Sequence, residues 1–267
     1  MFDYHGAVDS VEKKEEWFLE GKGNYQFEQC NYFKIPGKPI AYWISRNLIE
    51  DFSQKKIIDY AEPKQGLATG DNNRFLRLWH EVESQKFSIF EGSKWYPCNK
   101  GGQFRRWYGN NDYIVNWEND GEELKAFKGA VLRNTQYYFK EGITWSSLSM
   151  YKLSMRYSPK GHIFESKGSV CFSKEGRDLP YILGLTNSKV VEILLGVLSP
   201  TLDYHEGPMG RVPCIINEAE RENVVNLVKP CVEISKLDWD SSETSWDFKR
   251  HPLIPLPWRG GAEGDGV

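Results

Sequence analysis

Between residues 57 and 175 the chain is broken into short runs rich in β-branched and aromatic side chains: IIDYA, FLRLWHEV, KWYPC, YIVNW, GITWS, HIFES and SVCF. Clusters of Gly, Asn, Asp and Pro separate them. Runs of about four to eight such residues between turn formers suit strands and are too short for amphipathic helices. The region is therefore expected to be mainly β, with antiparallel or mixed pairing. Apolar and polar residues alternate imperfectly within the runs, so the pattern leaves strand boundaries and faces open.

Helices are expected on both sides of this region. VEKKEEWFL (11–19) reads as the end of a charged helix. After the break Pro36-Gly37-Lys38-Pro39, apolar residues at 40, 43, 44, 48, 49 and 52 have helical spacing, and Pro39 suits the first turn. YILGLT and SKVVEILLGVL read as two helical pieces, with Asn187 as N-cap of the second. Asn217 and Glu220 are spaced as a capping box for a helix containing Val224, Val225, Leu227, Val228, Val232 and Ile234. Pro230 should kink that helix or end it early. The fold class is α+β: a helical lead-in at 1–53, a β-rich domain at 54–216, a helical spacer at 217–253 and a disordered tail at 254–267.

Several function classes drop out. No apolar run approaches the roughly 20 residues of a membrane helix, and Met1–Ser10 carries Asp3 and Asp9 without a signal-peptide pattern. A cytoplasmic protein with no membrane partner is expected. Five cysteines stand at 30, 98, 171, 214 and 231, no two closer than 17 positions, and five histidines are equally scattered. This spacing matches neither a disulfide framework nor a metal site. The sequence has no GxSxG and no P-loop, and no catalytic residue is assigned.

Charge is uneven. Residues 94–168 hold 12 Lys and Arg against 7 Asp and Glu, a net of +5, between flanks of −3 and −5. A basic island suits an anionic partner and equally suits an unevenly charged solvated surface.

Three segments carry recognition-type chemistry. GLATGDNNRFLR (66–77) is a small-residue turn bearing Thr69, Asp71, Asn72, Arg74 and Arg77. Asn and Arg match adenine and guanine edges through paired donors and acceptors. NKGGQFRRWYGNND (99–112) interleaves Lys100, Arg105 and Arg106 with glycines, with Phe104, Trp107 and Tyr108, and with Asn110. Cations can neutralise phosphates there while rings stack. GITWSSLS (142–149) sets Thr144 and three serines around Trp145. Each also has a plainer reading: a helix-to-strand turn, a solvated loop and an edge strand.

Longer stretches carry a family resemblance. KIPGKPIAYWIS (34–45), GLATGDNNRFLRLW (66–79), KWYPCNKGGQFRRWYGNNDYIVNWENDG (94–121), GITWSSLS (142–149), RYSPKGHIFESKGSV (156–170), YILGLTNSKVVEILLGVLSPTLDY (181–204) and DWDSSETSWDFKRHPL (238–253) resemble, in order, BREX-type phage-defence adenine methyltransferases after their catalytic domain. LGLTNSK also resembles the end of recognition domains in restriction-modification enzymes. The resemblance implies a DNA target-recognition region that binds double-stranded DNA. A separate catalytic domain or subunit would bind S-adenosylmethionine, and other phage-defence proteins are further expected partners. This chain would then hold no cofactor. Thr69, Asp71, Asn72, Arg74, Arg77, Thr144 and Trp145 become candidate base readers. Lys100, Arg105, Arg106, Trp107, Tyr108 and Asn110 become candidate phosphate or stacking contacts.

The chain departs from a complete enzyme of this kind. Such enzymes bind the flipped adenine with an Asn/Asp-Pro-Pro-aromatic loop, and none of the 13 prolines here has a Pro neighbour. Gly21-Lys22-Gly23 follows a charged helix rather than a strand and fails the test for a cofactor loop. The catalytic domain is expected to be missing ahead of Met1, which leaves a fragment, a truncated reading frame or a split subunit open. Two other classes remain: a carbohydrate-binding module using aromatic side chains on strands, and a protein-interaction scaffold of a defence complex.

Overall fold

A computed structural model describes residues 10–83, 86–87, 92–149 and 152–254; of the expected tail only Ile254 is included, and 255–267 lie outside the described residues. The elements in chain order are α1 (Val11–Leu19), α2 (Arg46–Asp51), α3 (Ile57–Tyr60), β1 (Ala61–Lys64), α4 (Asn72–Phe75), β2 (Leu76–Leu78), β3 (Trp95–Asn99), β4 (Tyr113–Asn116), α5 (Glu118–Ala126), β5 (Gly142–Trp145), β6 (Met155–Ser158), β7 (Ile163–Phe164), β8 (Val170–Ser173), α6 (Leu179–Thr186), α7 (Lys189–Leu198), α8 (Glu206–Gly210) and α9 (Arg221–Asp240). The fold is α+β.

Two four-stranded sheets organise the molecule. The first has the order β1-β8-β5-β6 and is antiparallel throughout. The second, β2-β4-β3-β7, is antiparallel except where β3 runs parallel to β7, with Cys98 opposite Ile163. The first sheet is a partition between two cores. Cys171 of β8 with Ile143 and Trp145 of β5 faces Ile182, Leu183, Leu194 and Val228 of the helices. Val170 and Phe172, the alternate residues of β8, face Leu67, Phe75, Val115 and Phe164 on the other side. A sheet buried on both faces has no wet side to mark with polar residues. All four residues of β5 are buried, which explains the imperfect alternation.

Local chemistry moved several boundaries. IIDY forms the helix α3 because the Lys56 amide donates to the Asp59 carboxylate at 2.7 Å, closing one turn, and only Ala61 onward is strand. The helix expected from Pro39 begins instead at Arg46, where the Ser45 hydroxyl accepts from the Leu48 amide; Gly37 and Lys38 have φ of 85° and 51° and form a turn. Ser188, not Asn187, caps α7. The Asn187 side chain instead grips both backbone groups of Met155 at 3.0 Å. Asn217 accepts from the Ala219 amide in the turn before α9, so the capping box is not formed. α9 runs through Pro230 for 20 residues. It packs close on α6 at Gly184, where a Cβ would lie 2.7 Å from Val228. The strand β6 and the helix α5 have no counterpart among the sequence-based elements.

Candidate nucleic-acid interface

The loop after β3 holds the densest group of candidate residues. Its frame is rigid on both sides. Asn99 donates to the Ser158 hydroxyl at 2.7 Å, and Ser146 donates to the Gly102 carbonyl at 3.0 Å. Gly101 and Gly102 have φ of 90° and 130°, and a Cβ on Gly101 would lie 2.8 Å from the Lys167 carbonyl, so only glycine fits. Further on, Trp107 is stitched to β6: its amide donates to Met155 at 2.8 Å and its carbonyl accepts from Tyr157 at 2.7 Å. Between these anchors the amides of Lys100 to Arg106 donate to no acceptor among the described residues. A run of unengaged N–H groups is suited to anionic oxygens.

The cations of this loop differ in readiness. Lys100 lies 5.3 Å from the Tyr113 ring and Arg106 5.5 Å from the Phe104 ring, and neither has an ion pair among the described residues. The Arg106 Nε is buried without a partner. Arg105 is engaged, at 2.9 Å from Asp238 and stacked 5.0 Å over Trp239 at the end of α9. The expected stacking rings sit elsewhere. Tyr108 is buried beneath Lys236, Trp107 packs on the first core, and buried Asn110 donates to the Gln103 carbonyl at 2.8 Å. These three brace the loop from inside, and the exposed ring is Phe104.

The turn 66–74 is also braced. A Cβ on Gly66 would lie 1.8 Å from the Phe164 carbonyl and one on Gly70 2.2 Å from that of Gly129, so both glycines admit the chain's own backbone. Asp71 caps α4 by accepting from the Arg74 amide at 3.1 Å. Thr69, buried, donates to Asn72 Oδ1 at 2.6 Å. That bond leaves the Asn72 amide nitrogen, on an exposed residue, without a partner among the described residues. Arg74 pairs with Glu123 at 2.7 Å and lies over Phe75 and Phe127. Arg77 donates to the carbonyls of Leu76 and Asn73 and lies 5.8 Å from Trp95.

Thr144 and Trp145 do not reach the surface. Trp145 is fully buried, with its indole N–H on the Tyr204 carbonyl at 2.8 Å. Thr144 donates to the Ser169 carbonyl at 3.1 Å. Their hydroxyl and indole groups answer internal acceptors, as buried polar groups must.

Backbone bonds join these segments into one rim. Leu67 donates to Phe164, Ser166 to Leu67, Glu165 to Asn99 and Ser147 to Lys167, all between 2.8 and 3.0 Å. The segments 66–67, 99–102, 146–147 and 165–168 are thus contiguous, and the turn 69–74 leads away from Leu67 toward Gly129 and Glu123. Sequence reading missed the last of them, and missed Arg156 beneath the rim, because neither stands in a cluster of like residues along the chain. Among the described residues no group of three or more His, Cys, Asp or Glu is placed to hold a metal. Burial pushes the Cys98 and Cys171 thiols up, which makes both poor nucleophiles. No single described helix is long and apolar enough to cross a membrane.

Comparison with known proteins gives this rim a context. The chain is 37% identical, over an alignment of 268 positions that covers 92% of its length, to the adenine-specific methyltransferase PglX of Lacticaseibacillus casei (strain Zhang). It is 40% identical over 230 residues, 85% of its length, to the adenine-specific methyltransferase BrxX of Escherichia coli O9:H4 (strain HS). The chain is homologous to a segment of the BREX-type adenine-specific methyltransferases. It spans about a fifth of the length of these relatives, 22% of the PglX protein and 19% of the BrxX protein. No protein-family model matches it. The BREX-type relationship runs through the rim: the aligned length covers most of the chain in both comparisons.

Proposed function

We propose that this chain reads duplex DNA for an N6-adenine methyltransferase of a phage-defence system. The observation that carries the reading is the 100–106 loop, where backbone N–H groups with no acceptor among the described residues stand beside Lys100 and Arg106, neither of them in an ion pair among those residues. Phosphate contacts from such a loop fix register, and sequence must be read by a neighbouring side chain with free polar atoms. The exposed amide of Asn72, on the turn that follows Leu67, is the candidate for that need. Domain boundaries at 54–216 and 217–253 follow this reading, with α9 bracing the loop through Arg105.

Methyl transfer and S-adenosylmethionine belong, on this reading, to a catalytic domain or subunit like the parts of the relatives outside the matched fifth. The chain has no Pro-Pro pair with which to hold a flipped adenine. Burial of Trp95 and Trp145, the tryptophans on strands, speaks against a sugar-binding platform on the sheets. The test is fluorescence anisotropy on duplex DNA over a salt series. Affinity should fall steeply with salt, and Lys100→Ala and Arg106→Ala should each flatten the slope by about 1 for every sequence. Salt-insensitive binding, or slopes unchanged in both variants, removes the assignment.

A further inference from the structure

Arg156 is a buried cation with no counter-charge among the described residues. It lies on β6, 1% exposed, opposite Thr144 and bridged to Trp107. No carboxylate pairs with it among the described residues. Its guanidinium has only long contacts with neutral acceptors: the Arg105 carbonyl at 3.3 Å, the Ser146 hydroxyl at 3.4 Å, and the Ser154 carbonyl and hydroxyl at 3.5 Å. Its Nε has none. Burial, together with the repulsion of the cation Arg105, lowers the Arg156 pKa to about 10 and leaves it protonated at neutral pH.

A buried, unpaired charge is costly, and a fold optimised for stability alone has cheaper side chains for the position. Its placement suggests what offsets the cost. Arg156 touches the Arg105 carbonyl and the Ser146 hydroxyl, and Ser146 holds the Gly102 carbonyl. Both ends of the 102–105 loop therefore rest on it. The same loop carries the unengaged amides and, at Arg106, a buried Nε without a partner among the described residues.

We propose that Arg156 is the positioning residue of a phosphodiester seat: it shapes the 101–106 loop from beneath, and its charge is balanced when Arg106 and the loop amides bind a DNA phosphate. This rests on the DNA-reading assignment above. The seat is selective for phosphate charge and indifferent to base sequence.

The experiment uses the full chain with Arg156→Met and Arg156→Lys. Melting temperature is measured in phosphate and in chloride at equal ionic strength, and DNA affinity over a salt series. The unaltered protein should melt higher in phosphate. Arg156→Met should melt as high as the unaltered protein or higher in chloride, because removing an unpaired buried charge relieves its desolvation. It should lose the phosphate-dependent rise and flatten the salt slope by about 1 on all sequences. Arg156→Lys should regain part of the slope. Should Arg156→Met fold poorly, the lysine variant decides: a slope and phosphate response equal to the unaltered protein's would overturn the guanidinium's role. A methionine variant with unchanged slope and phosphate response would overturn the proposal while leaving DNA reading intact. Absence of salt-sensitive DNA binding by the unaltered protein would overturn both.

Discussion

The guanidinium of Arg105 meets the carboxylate of Asp238 at 2.9 Å, across 133 residues of sequence. The pair ties the basic loop to the end of α9, and it competes with any phosphate for the same cation. Both side chains are substantially exposed, so the pair itself adds at most about 1 kcal/mol to stability. Asp238→Asn should therefore leave the melting temperature nearly unchanged and strengthen binding to every duplex, by roughly two- to fivefold. Unchanged or weaker binding in an anisotropy titration would show that Arg105 does not engage DNA.

Asn72 offers a separation of turn stability from base reading. Its Oδ1 accepts from Thr69 at 2.6 Å while its amide nitrogen has no partner among the described residues. Asn72→Asp keeps an acceptor for Thr69 and removes the donor. Stability should hold within about 0.5 kcal/mol, and preference between cognate and altered sites should relax by about 1–3 kcal/mol at one position. The ratio of affinities is the measurement, since the added negative charge weakens binding to all sequences alike. An unaltered ratio would assign Asn72 to the turn alone.

Arg74 is expected to act mainly in folding. It pairs with Glu123 and covers Phe75 and Phe127. Arg74→Ala should lower stability by about 1 kcal/mol through lost stem and ring packing. A change of site preference with intact stability would reverse this assignment and make Arg74 the guanine reader.

Two glycines should respond in opposite directions. At Gly66 an added methyl meets the Phe164 carbonyl, backbone that cannot turn aside. Gly66→Ala should cost at least about 1–3 kcal/mol. Gly196 of α7 has open space around its Cβ position, and Gly196→Ala should stabilise by about 0.5–1 kcal/mol. Chemical denaturation of both variants checks the pair; equal effects would contradict the packing at Gly66.

Burial beside Trp246, 6.0 Å away, lowers the His162 pKa to about 4. In the unfolded chain the imidazole titrates near its ordinary value of 6.5. The unfolded state thus binds the extra proton first. The contribution of neutral His162 is complete above about pH 6.5 and is lost as pH falls toward 4, to a total of about 3 kcal/mol. His162→Leu should flatten the acid limb of stability against pH over that window by close to one proton. Parallel limbs for the two proteins would place His162 in solvent.

Much of this protein is determined by local sequence. Turn-punctuated β-branched runs were enough for the strands β2, β3, β4, β5, β7 and β8, and helical spacing was enough for α6, α7 and α9, though not for their caps, because both signals act within a few residues. The kinship with BREX-type methyltransferases was also legible, spread over motifs from Lys34 to Leu253. Tertiary packing decided which of the recognition-type residues can meet a ligand. Thr144, Trp145, Tyr108 and Asn110 read as surface chemistry along the chain, but the first sheet is covered on both faces and the loop folds back on α9, which draws them inside. Conversely Arg156, one basic residue in an unremarkable run, becomes a buried charge only because β6, the 99–106 loop and Ser146 converge on it. Burial is set by what packs on the far side of an element, and that neighbour is distant in sequence: Asp238 lies 133 residues from Arg105, and Arg156 lies 51 from the carbonyl it holds.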